Sequence, residues 1–127
     1  MKIIYVFLVI ICFGSCNRNN NSKPVHKDLL GFKADFRVES DDKRYDRLEL
    51  KLGKLQIRYI EDIIYVSTYA EVNACGDFQG NIQIKNDSIM LKYEYISDLA
   101  CTSVAIEKLT YLIDNPGKSR RKIKFED

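Results

Sequence analysis

From Phe32 to Glu39 the chain alternates strictly, with Phe32, Ala34, Phe36 and Val38 against Lys33, Asp35, Arg37 and Glu39. A repeat of two is what a strand with one face on a core and the other in water requires. Ser40-Asp41-Asp42 punctuates the pattern. Leu48, Leu50 and Leu52 then alternate with Arg47, Glu49 and Lys51 until Gly53, which predicts a second strand, a helix through 43–52 being the weaker alternative. Leu55, Ile57 and Tyr59 continue the alternation and Glu61-Asp62 turns the chain. Residues 63–72 are rich in β-branched and aromatic side chains and predict a strand that crosses the core. On that strand the aliphatic side, Ile64, Val66, Thr68, Ala70 and Val72, is the better core face. Tyr65 and Tyr69 share the other side with Ile63, Ser67 and Glu71.

Further along, Ile82 and Ile84 mark a short strand, Asn86-Asp87 a tight turn, and Ile89, Leu91, Tyr93 and Tyr95 alternate with Met90, Lys92 and Glu94, the clearest hairpin in the chain. Tyr93 and Tyr95 share the face of Ile89 and Leu91 and so read as core or its edge. Residues 104–113 fit another strand, and Asn115-Pro116-Gly117 turns into a last one around Ile123 and Phe125. About eight short strands, with turn signals every ten or so residues and no convincing amphipathic helix, predict an all-β domain, an antiparallel sandwich or a small barrel. Pattern alone leaves these two open, and only a closed barrel has an interior that can hold an apolar ligand.

The amino terminus follows other rules. Lys2 is a short positive region, and the apolar run from Ile3 to Phe13 falls short of the ~20 residues that a bilayer-spanning helix needs, so it predicts an export signal rather than a span. It ends in Phe13-Gly14-Ser15-Cys16, which resembles the lipobox of bacterial lipoproteins, with Phe13 where Leu is usual. The resemblance implies a signal peptide over 1–15, cleavage before Cys16, and acyl chains on Cys16 sufficient for stable attachment to a membrane. Residues 17–24 are polar and end in Pro24, so 16–27 reads as a lipidated cysteine and flexible tether, and 28–127 as one globular domain. Asn-rich tethers of this kind resemble those of Bacteroidota lipoproteins. The lack of an acidic residue before Asp28 then implies an outer-membrane anchor facing the periplasm.

Composition narrows the chemistry. The 127 residues suit a single domain, and a net charge of +2 with both signs interspersed gives no footprint for nucleic acid. The one histidine, His26, falls in the tether, which leaves little imidazole for acid–base work or a metal site, so neither cofactor nor metal is expected. The remaining catalytic route would be a carboxylate pair such as Glu71 and Asp77, and no motif brings these within mutual reach. Cys12 leaves with the signal and Cys16 is used for lipid. Cys75 and Cys101 remain, and in an oxidising compartment they predict a disulfide that ties the two ends of the clear hairpin, contributing roughly 3 kcal/mol.

Two places are candidates for binding. The first is the loop of Gly76, Asp77 and Phe78, where Gly76 and Gly80 bracket a turn through positive φ or close approach. The segments 73–80 and 101–111 resemble stretches of small Bacteroidota lipoproteins, a resemblance that carries no activity with it. The second is the face of Tyr65 and Tyr69, which suits a sugar ring or a protein partner if exposed and is plain core if both faces are covered. The five basic residues between Lys118 and Lys124 guard a terminal edge strand or, in a functional role, meet lipid phosphate. The expected function is a non-catalytic lipoprotein that binds an envelope protein, as an inhibitor, immunity factor or assembly accessory. In size, address and build it resembles periplasmic lysozyme inhibitors. The alternative is a small-ligand or glycan binder, through a barrel interior or the tyrosine face.

Overall fold

Ile64, Val66, Thr68, Ala70 and Val72 are all buried, so the aliphatic side of the long strand is the core side. The computed structural model describes residues 23–126, and the expected signal, Cys16 and the expected tether through Ser22 lie outside them. Its elements are β1 (Leu29–Glu39), α1 (Tyr45–Glu49), β2 (Gln56–Ile60), β3 (Ile63–Asn73), β4 (Phe78–Lys85), β5 (Ser88–Tyr95), β6 (Val104–Asp114) and β7 (Lys122–Phe125). The strands form two sheets, one ordered β1-β6-β3-β2 and the other β4-β5-β7. The described residues therefore form a sandwich of seven strands. The four-stranded sheet is antiparallel, whereas β7 joins β5 in parallel and makes the smaller sheet mixed.

Between the sheets, Ile64, Val66, Leu109, Tyr111 and Ile113 from one side meet Ile82, Ile89, Leu91 and Ile123 from the other. Tyr111 is wholly buried, and its hydroxyl donates to the Lys92 carbonyl of the facing sheet at 3.1 Å, which satisfies the polar tip of a core aromatic ring. The Phe32 ring lies directly on Gly80: a Cβ there would fall 2.1 Å from the ring. Three connections join the sheets; β3 to β4 and β5 to β6 each carry a cysteine, β6 to β7 carries none, and Cys75–Cys101 is a disulfide.

Two expected strand patterns are corrected. Leu48, Leu50 and Leu52 do not form a strand. Tyr45–Glu49 is a short helix that buries Leu48 against Val38 and Ile106 and leaves Leu50 73% exposed. β2 pairs with β3 only from Ile63 to Ser67. The segment after α1 meets the rest of that edge at Tyr69 alone, by a single bridge from Leu52 and one hydrogen bond from Gly53, because Leu48 is seated on Val38 and Ile106 by a turn of helix instead. The alternation of β1 also fails midway. Asp35 pairs with Lys108 and Val38 with Ile106, so Phe36 and Arg37 together oppose Glu107, a bulge with Phe36 at φ +57°. The extra residue reverses the faces beyond it. Val38 turns to the outer side of the sheet, under α1, and Arg37 pairs with the buried Glu107.

Candidate functional site

The bulge, α1 and the segment after it shape the outer face of the four-stranded sheet around Tyr69. Val38 and Ile106 seat Leu48 of α1 on this face, and Tyr45, Leu52 and Tyr69 pack around that contact. Tyr69 is consequently half-buried. Phe36, held outward by its left-handed backbone, stands edge-on to the Tyr69 ring with centroids 6.5 Å apart.

Three depressions open around these rings, and Tyr69 lines all of them. One of about 300 Å³ runs between Lys51, Lys54, Gln56 and Ser67. Another of about 470 Å³ is bounded by Asp35, Phe36 and Lys108, and a third of about 200 Å³ by Phe36, Arg44, Arg47 and Lys51. Their walls are strongly cationic. Among the described residues Lys51, Lys54, Arg47 and Lys108 take part in no salt bridge, while Arg44 pairs with Asp42 and lies over the Phe36 ring at 5.4 Å. The side-chain and backbone hydrogen bonds from Arg44 lower the Asp42 carboxyl to about 2, so this pair stays charged at any pH near neutrality. Glu71 accepts a hydrogen bond from the Tyr45 hydroxyl at 2.7 Å, which pushes that phenol up to about 12. The groove thus offers aromatic faces flanked by unneutralised cations, a setting for an anionic or amphipathic group.

Tyr65 occupies a different part of the same face. Arg58 stacks over its ring at 5.1 Å, and with Gly31, Phe32, Thr110 and Leu112 it lines an apolar hollow of about 220 Å³. Neighbouring apolar side chains reach solvent, Leu30 at 55% and Leu112 at 37% exposure. Tyr65 and Tyr69 are therefore neither a bare stripe nor plain core.

The Gly76-Asp77-Phe78 loop is occupied by structural contacts. Gly76 lies beneath the Tyr95 ring, where a Cβ would come within 2.9 Å, and Phe78 packs edge-on to Phe32, Tyr93 and Tyr95. Of the two roles expected for Gly76 and Gly80, close approach is the one found: neither has positive φ, and Gly80 lies within β4 rather than in a turn. The Asp77 backbone N–H donates to the Ser97 hydroxyl and its carbonyl accepts from the Ile96 N–H. The fold does not assemble Glu71 and Asp77 into one site. Glu71 faces Tyr45 on the sheet, whereas Asp77 is in the crossover loop.

Pattern reading missed Asn73, which organises that crossover. Its Nδ2 donates to the Cys101 carbonyl at 2.6 Å, and its Oδ1 accepts from the N–H groups of Cys75 and Cys101. An Asn two residues before a cysteine is the available signal, since its side chain readily mimics a turn by bonding the backbone two residues on. Comparison with protein-family models, curated proteins and solved structures gave no match to this chain.

Proposed function

We propose that this is a non-catalytic, lipid-anchored envelope protein that binds a protein partner through the outer face of its four-stranded sheet, centred on Tyr69. The observation that carries the reading is the pairing of the half-buried Tyr69 ring and the exposed Phe36 ring with four cations that, among the described residues, take part in no salt bridge, on the same sheet face as exposed Leu112. Protein interfaces share this composition, with aromatic and arginine anchors at the centre and polar groups around them. The same depressions are the place for a small anionic ligand or glycan, the second reading, because two sheets packed face to face leave no barrel interior to fill.

A photoreactive residue at position 54, introduced into the full-length lipoprotein in its native envelope, tests the proposal. One dominant crosslinked protein is expected, lost when Tyr69→Ala is added and retained with Lys85→Ala on the other sheet. Crosslinks that are absent, or indifferent to Tyr69, would sink the protein-binding reading.

A further inference from the structure

The amino-terminal end of the described chain lies on the other sheet. Gln79 Nε2 donates to the Lys23 carbonyl at 2.9 Å, Asn81 Nδ2 to the Pro24 carbonyl at 3.2 Å, and the His26 N–H to Asn81 Oδ1 at 2.9 Å. Lys23 Nζ is also 3.5 Å from Glu94. Gln79, Asn81 and Glu94 alternate with the core-facing Phe78, Gly80, Tyr93 and Ile82, so they belong to the outer face of β4 and β5.

By the same alternation that face carries Lys85, Lys92, Lys122 and Lys124, with Gln83, Ser88 and Met90 between them. The register sets Lys122 beside Ser88, Lys124 beside Met90, and Lys92 beside Asn81. Among its strand residues the single carboxylate is Glu94, which is paired with Lys23, while Asp87 lies in the hairpin turn and Glu126 just beyond β7. Four lysines on one sheet face with one neutralised acid make a surface complementary to anionic phosphate.

Chain length says what covers it. Seven residue steps separate Cys16 from Lys23, and at ~3.5 Å each they span at most about 25 Å in any conformation. A membrane-inserted Cys16 therefore keeps Lys23, and the face to which it is bonded, close to the lipid headgroups. Resting on the lipoprotein reading of Cys16, we infer that the outer face of the three-stranded sheet docks on an anionic phospholipid surface, its lysines on the phosphates. The Tyr69 groove, on the opposite side of the sandwich, then points away from the membrane toward its partner.

The lysines of the two faces serve as mutual controls. The full-length lipidated protein is reconstituted into vesicles of zwitterionic phospholipid with or without phosphatidylglycerol, pulsed with an amine-reactive reagent, and each lysine is read by mass spectrometry. Lys85, Lys92, Lys122 and Lys124 are expected to react about threefold or more slowly in the anionic vesicles, while Lys51, Lys54 and Lys108 do not change. High salt should abolish the difference, and so, at Lys85 and Lys92, should the exposed double substitution Lys122→Glu with Lys124→Glu. Equal labelling of all lysines, or protection of Lys51, Lys54 and Lys108 instead, overturns the docking inference while leaving the anchor intact. An intact mass without acyl chains overturns both.

Discussion

Asn73 holds three backbone groups of the crossover with one side chain, so its loss leaves the Cys101 carbonyl and two N–H groups without that partner. Asn73→Ala is expected to cost about 2–3 kcal/mol in urea unfolding, the sum of a few partly solvated hydrogen bonds. Gly80 is constrained by contact rather than by backbone angle. Because the Phe32 ring occupies the place of any Cβ, Gly80→Ala forces the sheets apart locally and should lower stability by about 1–3 kcal/mol. Tyr45 sets an alkaline limit. An unfolded tyrosine loses its proton near pH 10, whereas the folded Tyr45 phenol, bonded to Glu71, holds it to about 12, and burial shifts Tyr111 in the same direction. Between these values the native state binds protons that the unfolded state has lost, so stability is full below pH 10 and declines as pH rises above it. Denaturant titrations on either side of pH 10 check the sign, and Tyr45→Phe should reduce the slope.

At the scale of elements, the bulge in β1 does two things that an unbroken strand could not. It turns Arg37 inward to pair with Glu107, and it holds Phe36 outward at positive φ, a conformation that costs a side-chain-bearing residue about 1 kcal/mol. Strain at an exposed aromatic beside the groove fits a residue kept for binding rather than for stability. Phe36→Gly is expected to leave thermal stability within about 1 kcal/mol of the parent, as relief of strain offsets the lost ring contacts, while weakening crosslinking at position 54 several-fold. Loss of stability without loss of crosslinking would refute that role. Helix α1 is held by Leu48 rather than by its own length, since five residues are far too few for a helix to persist alone. Leu48→Ala should therefore release it at a cost of about 2–4 kcal/mol and dismantle the groove wall formed by Arg44, Arg47 and Lys51.

For the molecule as a whole, the disulfide acts where the chain leaves the four-stranded sheet and where it returns. Cys75 and Cys101 enclose the β4–β5 hairpin with a separation of 26 residues, and closing a loop of that size in the unfolded chain is worth roughly 3 kcal/mol. Reduction, or Cys75→Ser with Cys101→Ser, should lower the melting temperature by several degrees while the Tyr69 face keeps its crosslinks, because β1, β2, β3 and β6 pair with one another independently of the bridge. The sandwich also separates its two surfaces, with the lysines of the three-stranded sheet on one side and the aromatic, cationic groove on the other.

Local pattern was sufficient for β3, β5 and β6, where alternation or β-branched runs continue without a break, for the Asn86-Asp87 and Asn115-Pro116-Gly117 turns, and for the disulfide, which follows from cysteine parity. Each of these depends on near neighbours or on counting. What only the tertiary structure decided depends on partners distant in sequence. Leu48, Leu50 and Leu52 fit a strand on paper, yet Val38 of β1 and Ile106 of β6 take Leu48 into a buried contact and Leu50 is left in solvent. The faces of β1 reverse at Phe36 because β6 supplies one residue where β1 has two, and Gly80 is required because Phe32 arrives from the other sheet. The groove was half legible for the same reason. Tyr69 could be placed on a face from its own strand, but the cations around it come from the helix, its following segment and β6, and only folding brings them to one ring.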